Sequence, residues 1–252
     1  MKSVIAAALL LTSSSAWACE KAYDGTGVER ITEKNGKLWT LPGLSSSTDR
    51  GASWSAGYDG DGTRDSDVSD DGRVATVLLK NYFEVTTLDD EESLSEDAPP
   101  IMAWGVRFLG HAILALGFVR DSPGEKDAAL LSRDGGTSWT ASLEDNLGHS
   151  QTLFVLDDKR AWIAASEGTT AVWRTTNGGK DWERSSSETP LFGECDELFF
   201  LDKKRGWASI ASGAARTIYA TDDGGDEWET RGAVTLSTAG SVSLAFADNA
   251  SN

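Results

Sequence analysis

A pattern of hydroxyl, acid, glycine and indole recurs along this chain and limits what it can fold into more than any other feature. Residues 132–139 read SRDGGTSW, and the same spacing returns as STDRGASW at 47–54, TTNGGKDW at 175–182 and TDDGGDEW at 221–228. A worn copy, TLDDEESL, occupies 87–94. The copies end at positions 54, 94, 139, 182 and 228, so successive intervals are 40, 45, 43 and 46 residues. A near-constant period in that range marks propellers and solenoids, whose units cannot bury their apolar faces without neighbours.

The residues between the copies share a grammar. Residues 152–156, a polar turn at 157–160 and residues 161–165 read as strand, tight turn and strand, and 198–201, 202–205 and 206–210 repeat it. A third strand, 171–174 or 217–220, runs into the box, and a fourth begins at its Trp. In the earlier periods, 28–32 and 38–41 flank a turn at 33–37, 73–79 and 82–87 supply strands of the second, and 106–109 and 112–117 supply strands of the third. No 3.6-residue apolar period competes after residue 18. The expected fold is therefore all-β: a β-propeller of four-stranded antiparallel blades filling one domain over residues 19–252. Five box copies predict five blades, with six as the alternative in which terminal strands share a blade. Residues 241–249 read as a further first strand and its turn.

The amino terminus reads as a signal peptide over residues 1–18. Lys2 precedes an apolar run at 4–11, a Ser-rich patch and Ala16-Trp17-Ala18, the small-x-small pattern of a peptidase site. The run is too short to span a bilayer. Cleavage would leave Cys19 first, with a periplasmic or extracellular destination; a lipid anchor on Cys19 is the alternative. Cys19 and Cys195 are the two cysteines of the chain. In an oxidising compartment they are expected to pair, contributing ~3–5 kcal/mol if unstrained. The formal charge of −17 argues against nucleic acid, whose phosphates need basic neutralisation, and favours solubility and cationic ligands. A monomer without a transmembrane segment is expected.

In each box the acid can accept backbone N–H groups of its own turn, the glycine supplies positive φ and the Trp returns to the interface beneath. Those staples are Asp49, Gly51 and Trp54; Asp134, Gly136 and Trp139; Asn177, Gly179 and Trp182; and Asp223, Gly225 and Trp228. The motifs resemble the Asp box, or bacterial neuraminidase repeat, of sialidases, sortilin-type receptors and the photosystem II stability and assembly factor family. The hairpins Lys204-Arg205-Gly206-Trp207 and Lys159-Arg160-Ala161-Trp162 look more like the assembly-factor type. Sialidases also carry an Arg-Ile-Pro element feeding an arginine triad, whereas here Arg30-Ile31 is followed by Thr32.

In Asp-box enzymes the face opposite the boxes carries the chemistry. By that resemblance, segments 58–64, 93–103, 117–127, 143–151 (with His149) and 185–197 (with Cys195) open on the working face here. Long loops on a rigid scaffold concentrate binding residues, and Arg120, Glu125 and Lys126 are the charged candidates. Asp59, Asp61 and Asp65 offer alternating oxygens suited to calcium, although an EF-type register would need Gly where Arg64 stands. No cofactor is otherwise expected. His111 and His149 lack zinc spacing, His111 falls in a strand turn, and no nucleophile elbow or phosphate loop appears. The leading expectation is an exported, non-catalytic binding scaffold for a protein or glycan partner. The alternative is a sialidase-like glycoside hydrolase using a carboxylate pair.

Overall fold

A computed structural model describes residues 30–34, 36–41, 45–55, 63–78, 83–87, 101–119, 127–144, 147, 149–166, 169–186 and 189–235. Among them there is no helix, and five antiparallel sheets follow one another along the chain. The first holds β1 (Arg30–Lys34), β2 (Lys37–Leu41) and β3 (Ser46–Ser47); the second β4 (Thr63–Val68), β5 (Arg73–Leu78) and β6 (Phe83–Thr87). The third is complete, with β7 (Ile101–Leu109), β8 (Ala112–Val119), β9 (Ala128–Ser132) and β10 (Thr140–Leu143). The fourth has β11 (His149–Val155), β12 (Ala161–Ser166), β13 (Thr169–Thr175) and β14 (Glu183–Arg184), with β15 (Leu191–Phe192) also paired to β13. The fifth has β16 (Glu194–Phe200), β17 (Gly206–Ser212), β18 (Ala215–Thr221) and β19 (Glu229–Thr235).

These sheets are the blades of a β-propeller. The first strand of one blade lies against the first strand of the next, β4 on β7, β7 on β11 and β11 on β16, as strands must around a common axis. Each junction is sealed by its own apolar cluster. Trp39, Leu41, Val68 and Val74 fill the first and Val77, Ile101 and Val106 the second. Leu114, Leu131 and Ile163 fill the third, and Trp162, Leu198, Phe200 and Trp228 the fourth. Second strands, sandwiched between two neighbours, bury consecutive residues rather than alternate ones: β12 is buried throughout.

The expected placement of each box holds for the described copies. Boxes run from β3, β9, β13 and β18, and the last three lead into a fourth strand. Three details differ from the sequence expectation. The first turn is not at 33–37: β1 continues to Lys34, which pairs with Lys37. Gly36 precedes Lys37 with a φ of +72°, the positive φ that tight hairpin turns need and glycine supplies. Strands β7 and β8 extend beyond 106–109 and 112–117 because Ile101 and Ala103 continue the packing against the second blade. Segment 185–197 is not an irregular loop throughout, for it contains β15 and the start of β16. The degenerate box beyond Thr87, the signal region, Cys19 and segment 241–249 lie outside the described residues.

Candidate functional site

The box is a closed hydrogen-bond relay. In the third blade the Ser132 hydroxyl accepts the Gly136 N–H at 2.8 Å and donates to Asp134 Oδ1 at 2.9 Å. Asp134 in turn accepts the Ser138 N–H at 2.9 Å and its hydroxyl at 2.5 Å. Ser47, Asp49, Gly51 and Ser53 repeat this arrangement. The Ser53 and Ser138 hydroxyls, joined by the other donors of each turn, hold the Asp49 and Asp134 carboxyls at about 2. The fourth copy reverses one polarity. Asn177 stands where the others have Asp, and its Nδ2 donates to Asp181 Oδ2 at 2.7 Å while its Oδ1 accepts the Asp181 N–H at 3.0 Å. An amide and a carboxylate thus replace a carboxylate and a hydroxyl.

Preceding blades grip these turns. Trp162 Nε1 donates to Gly224 O at 2.8 Å, Ser185 Oγ to Asp226 O at 2.8 Å, and Arg174 pairs with Asp226 at 2.9 Å. One junction earlier, Arg133 donates to Gly178 O at 3.1 Å, Ser142 Oγ donates to Gly179 O, and Trp182 Nε1 donates to Ser142 Oγ at 2.8 Å. Within a blade the first hairpin buttresses the box, the Gly178 and Gly224 N–H groups reaching Lys159 O and Lys204 O. Asp157 caps its hairpin by accepting the Lys159 and Arg160 N–H groups, and Asp202 does so with those of Lys204 and Arg205. The polar groups of this face are thus largely occupied by structure.

The opposite rim of the fourth and fifth blades is built differently. Strand β15 pairs with Thr169 and Thr170, the end of β13 far from its box. Leu191 is buried in the junction cluster, whereas Phe192 is 64% exposed. Gly193 fixes this reversal. Its carbonyl accepts Thr170 Oγ1 at 2.7 Å and Ser166 Oγ at 3.3 Å, its φ is +125°, and a Cβ there would sit 2.0 Å from Ala211 O. No side chain fits between the blades at this point. Beside it, Asp196 occupies the bulge of β16 between Cys195 and Glu197 and forms a buried ion pair with Arg216 of β18. The Arg216 guanidinium also donates to Gly213 O at 2.8 Å. Bulges re-aim side chains at blade rims, and β7 and β11 carry theirs at the same height.

Among the sequence candidates, Arg120, Glu125, Lys126, Asp59 and Asp61 lie outside the described residues. Asp65 lies within β4, and its Oδ2 accepts the Val106 N–H at 2.9 Å and an Arg107 N–H at 2.5 Å. Asp67 accepts the Phe108 N–H at 2.8 Å. These alternating acids cap the inner edge of the next blade, and among the described residues no group of three or more His, Cys, Asp or Glu could hold a metal ion. Cys195 is buried in strand, not on a loop; its thiol donates to Glu197 O at 3.3 Å, and burial, reinforced by Asp196, pushes its pKa up. His111 sits in the β7–β8 turn with an exposed imidazole, and its carbonyl receives Arg73. Sequence reasoning missed Phe192, Gly193 and the Asp196–Arg216 pair. The available signal was an apolar pair followed by glycine inside an otherwise polar, acidic segment.

Among the described residues no helix is long and apolar enough to cross a membrane. Two of the similar solved structures, with TM-scores above 0.5, share the fold. YCF48 from Cyanidioschyzon merolae matches with a TM-score of 0.51 at 16% identity, over 77% of this chain and 68% of that one. The GH74 enzyme of Niastella koreensis matches with a TM-score of 0.53 at 15% identity, over 78% of this chain and 34% of that one. YCF48 bound to D1 peptide matches with a TM-score of 0.46 at 19% identity, over 66% of this chain and 52% of that one. This chain therefore spans about half the length of that relative and a third of the GH74 enzyme. No curated protein matches. The model of the family described as photosynthesis system II assembly factor YCF48 matches residues 115–249, more than half of the sequence and the whole of the last two blades, and the chain belongs to that family.

Proposed function

We propose that this chain is an exported, non-catalytic propeller of the assembly-factor type that holds a segment of a protein partner on the face opposite the boxes. Family membership carries the reading, because the matched residues include the blades whose far rim displays Phe192. The distribution of polar groups supports it. Box-face donors and acceptors are taken up by turns and blade junctions, whereas the far rim presents an aromatic ring on a pinned backbone. A rigid exposed aromatic loses little entropy on binding and suits a protein segment. The basic residue, apolar run and Ala16-x-Ala18 of the terminus support export to a periplasmic or extracellular compartment.

Purified mature chain should be presented with a peptide array, a glycan array and a panel of fluorogenic glycosides. Peptide binding lost on substitution along the far rim, with no glycoside turnover, is the expected result. Turnover that disappears when far-rim carboxylates are replaced would establish a hydrolase instead.

A further inference from the structure

Building on that reading, we infer that Phe192 is the contact point for a basic partner segment, an extended peptide carrying Arg or Lys whose cation stacks on the exposed ring. Three observations converge. First, the ring is displayed by construction: Leu191 anchors inward, Phe192 stands 64% exposed, and Gly193 is pinned by Ser166, Thr170 and the crowding carbonyl of Ala211. Exposure of this aromatic is thus dictated by an obligate glycine and not by a loose loop.

Second, the described charged residues that follow the ring in sequence, Glu194, Asp196 and Glu197, are all acidic. Asp196 is neutralised by Arg216, which leaves exposed Glu194 two residues from the ring. The whole chain, at −17, extends the same bias to long range. Third, among the described residues Val234, half exposed, is a second large apolar side chain at this end of the fifth blade, opposite Arg216 in the β18–β19 ladder. An aromatic face flanked by carboxylates attracts a guanidinium or ammonium through the ring quadrupole and charge together. An acidic or phosphorylated segment would meet repulsion at the same place.

The test uses a fluorescently labelled extended peptide with arginine at alternate positions, and its counterpart with glutamate at those positions, titrated against the full mature chain. The arginine peptide should bind, with affinity falling as salt is raised, and the glutamate peptide should not. Phe192→Ala should weaken binding about tenfold with an unchanged melting temperature. Glu194→Lys should weaken it several-fold and flatten the salt dependence, while Phe192→Trp should retain binding and report it as a change in indole emission. Equal binding of the two peptides, or an affinity indifferent to Phe192→Ala, overturns the inference. If the glutamate peptide alone binds at the far rim, the partner-binding reading stands and this inference falls. If neither binds and a glycoside is turned over, both fall.

Discussion

The two faces of the propeller are held by different means. On the box face, the contacts inside each turn close within eight residues and repeat from blade to blade: hydroxyl to glycine, hydroxyl to acid, acid to the seventh position. On the far rim of the fourth and fifth blades the contacts are individual: Asp196 pairs with Arg216 inside the fifth blade, and the Gly193 carbonyl takes the Ser166 and Thr170 hydroxyls of the fourth. Repetition buys redundancy on one side and leaves the other free to carry individual features. A single loss on the box face should therefore be local, whereas one at the rim disturbs a junction or a display.

The largest expected effect tests where the blades are joined. Trp162 is fully buried, stacks on Phe200 at 3.7 Å and donates to Gly224 O. Trp162→Ala should cost about 4 kcal/mol in denaturant-induced unfolding. A loss below about 1 kcal/mol would show that the junction does not depend on this indole. Next comes the rim. Gly193→Ala should cost about 3 kcal/mol, from positive φ and the clash with Ala211 O together; tolerance of alanine would break the account of how Phe192 is displayed.

Smaller effects sharpen the contrast between boxes. Asn177→Asp places two carboxylates where an amide now donates to Asp181, and should cost ~0.5–1 kcal/mol at neutral pH. Adding Asp181→Ser should rebuild the arrangement of the third blade and recover stability, a coupling that a double-mutant cycle reads directly.

The titration of the box face follows from the same geometry. Asp49, Asp134, Asp71 and Asp202 have folded values of about 2, below the ordinary 3.8. The unfolded chain binds more protons in that interval, so their stabilisation is complete above pH about 4 and is lost as pH falls towards 2. Acid unfolding followed by tryptophan emission should show its steepest loss in that window; a midpoint nearer neutrality would implicate other groups. At the small end, Phe192→Ala should leave stability within about 0.5 kcal/mol, as for surface substitutions generally.

Much of this was legible from residues alone. The antiparallel strands, the box turns and the shared face of box and hairpin all follow from signals within one period. Asp65 shows what such reading misses. With Asp59 and Asp61 it offers alternating oxygens in one dimension, yet its Oδ2 takes the backbone N–H of Val106, forty-one residues later, and an Arg107 N–H. Likewise segment 185–197 looked irregular because its two-residue strand is too short for a periodic signal, and its glycine makes sense only beside Ala211.

By itself the sequence determined the repeat, the all-β class and the chemistry of the turns, because those depend on interactions between residues close in the chain. The tertiary structure alone decided which indole reaches the next blade, why Gly193 admits no side chain and which aromatic faces outward. Those outcomes depend on the distance between sheets, which is set when the blades pack and is written in no single period.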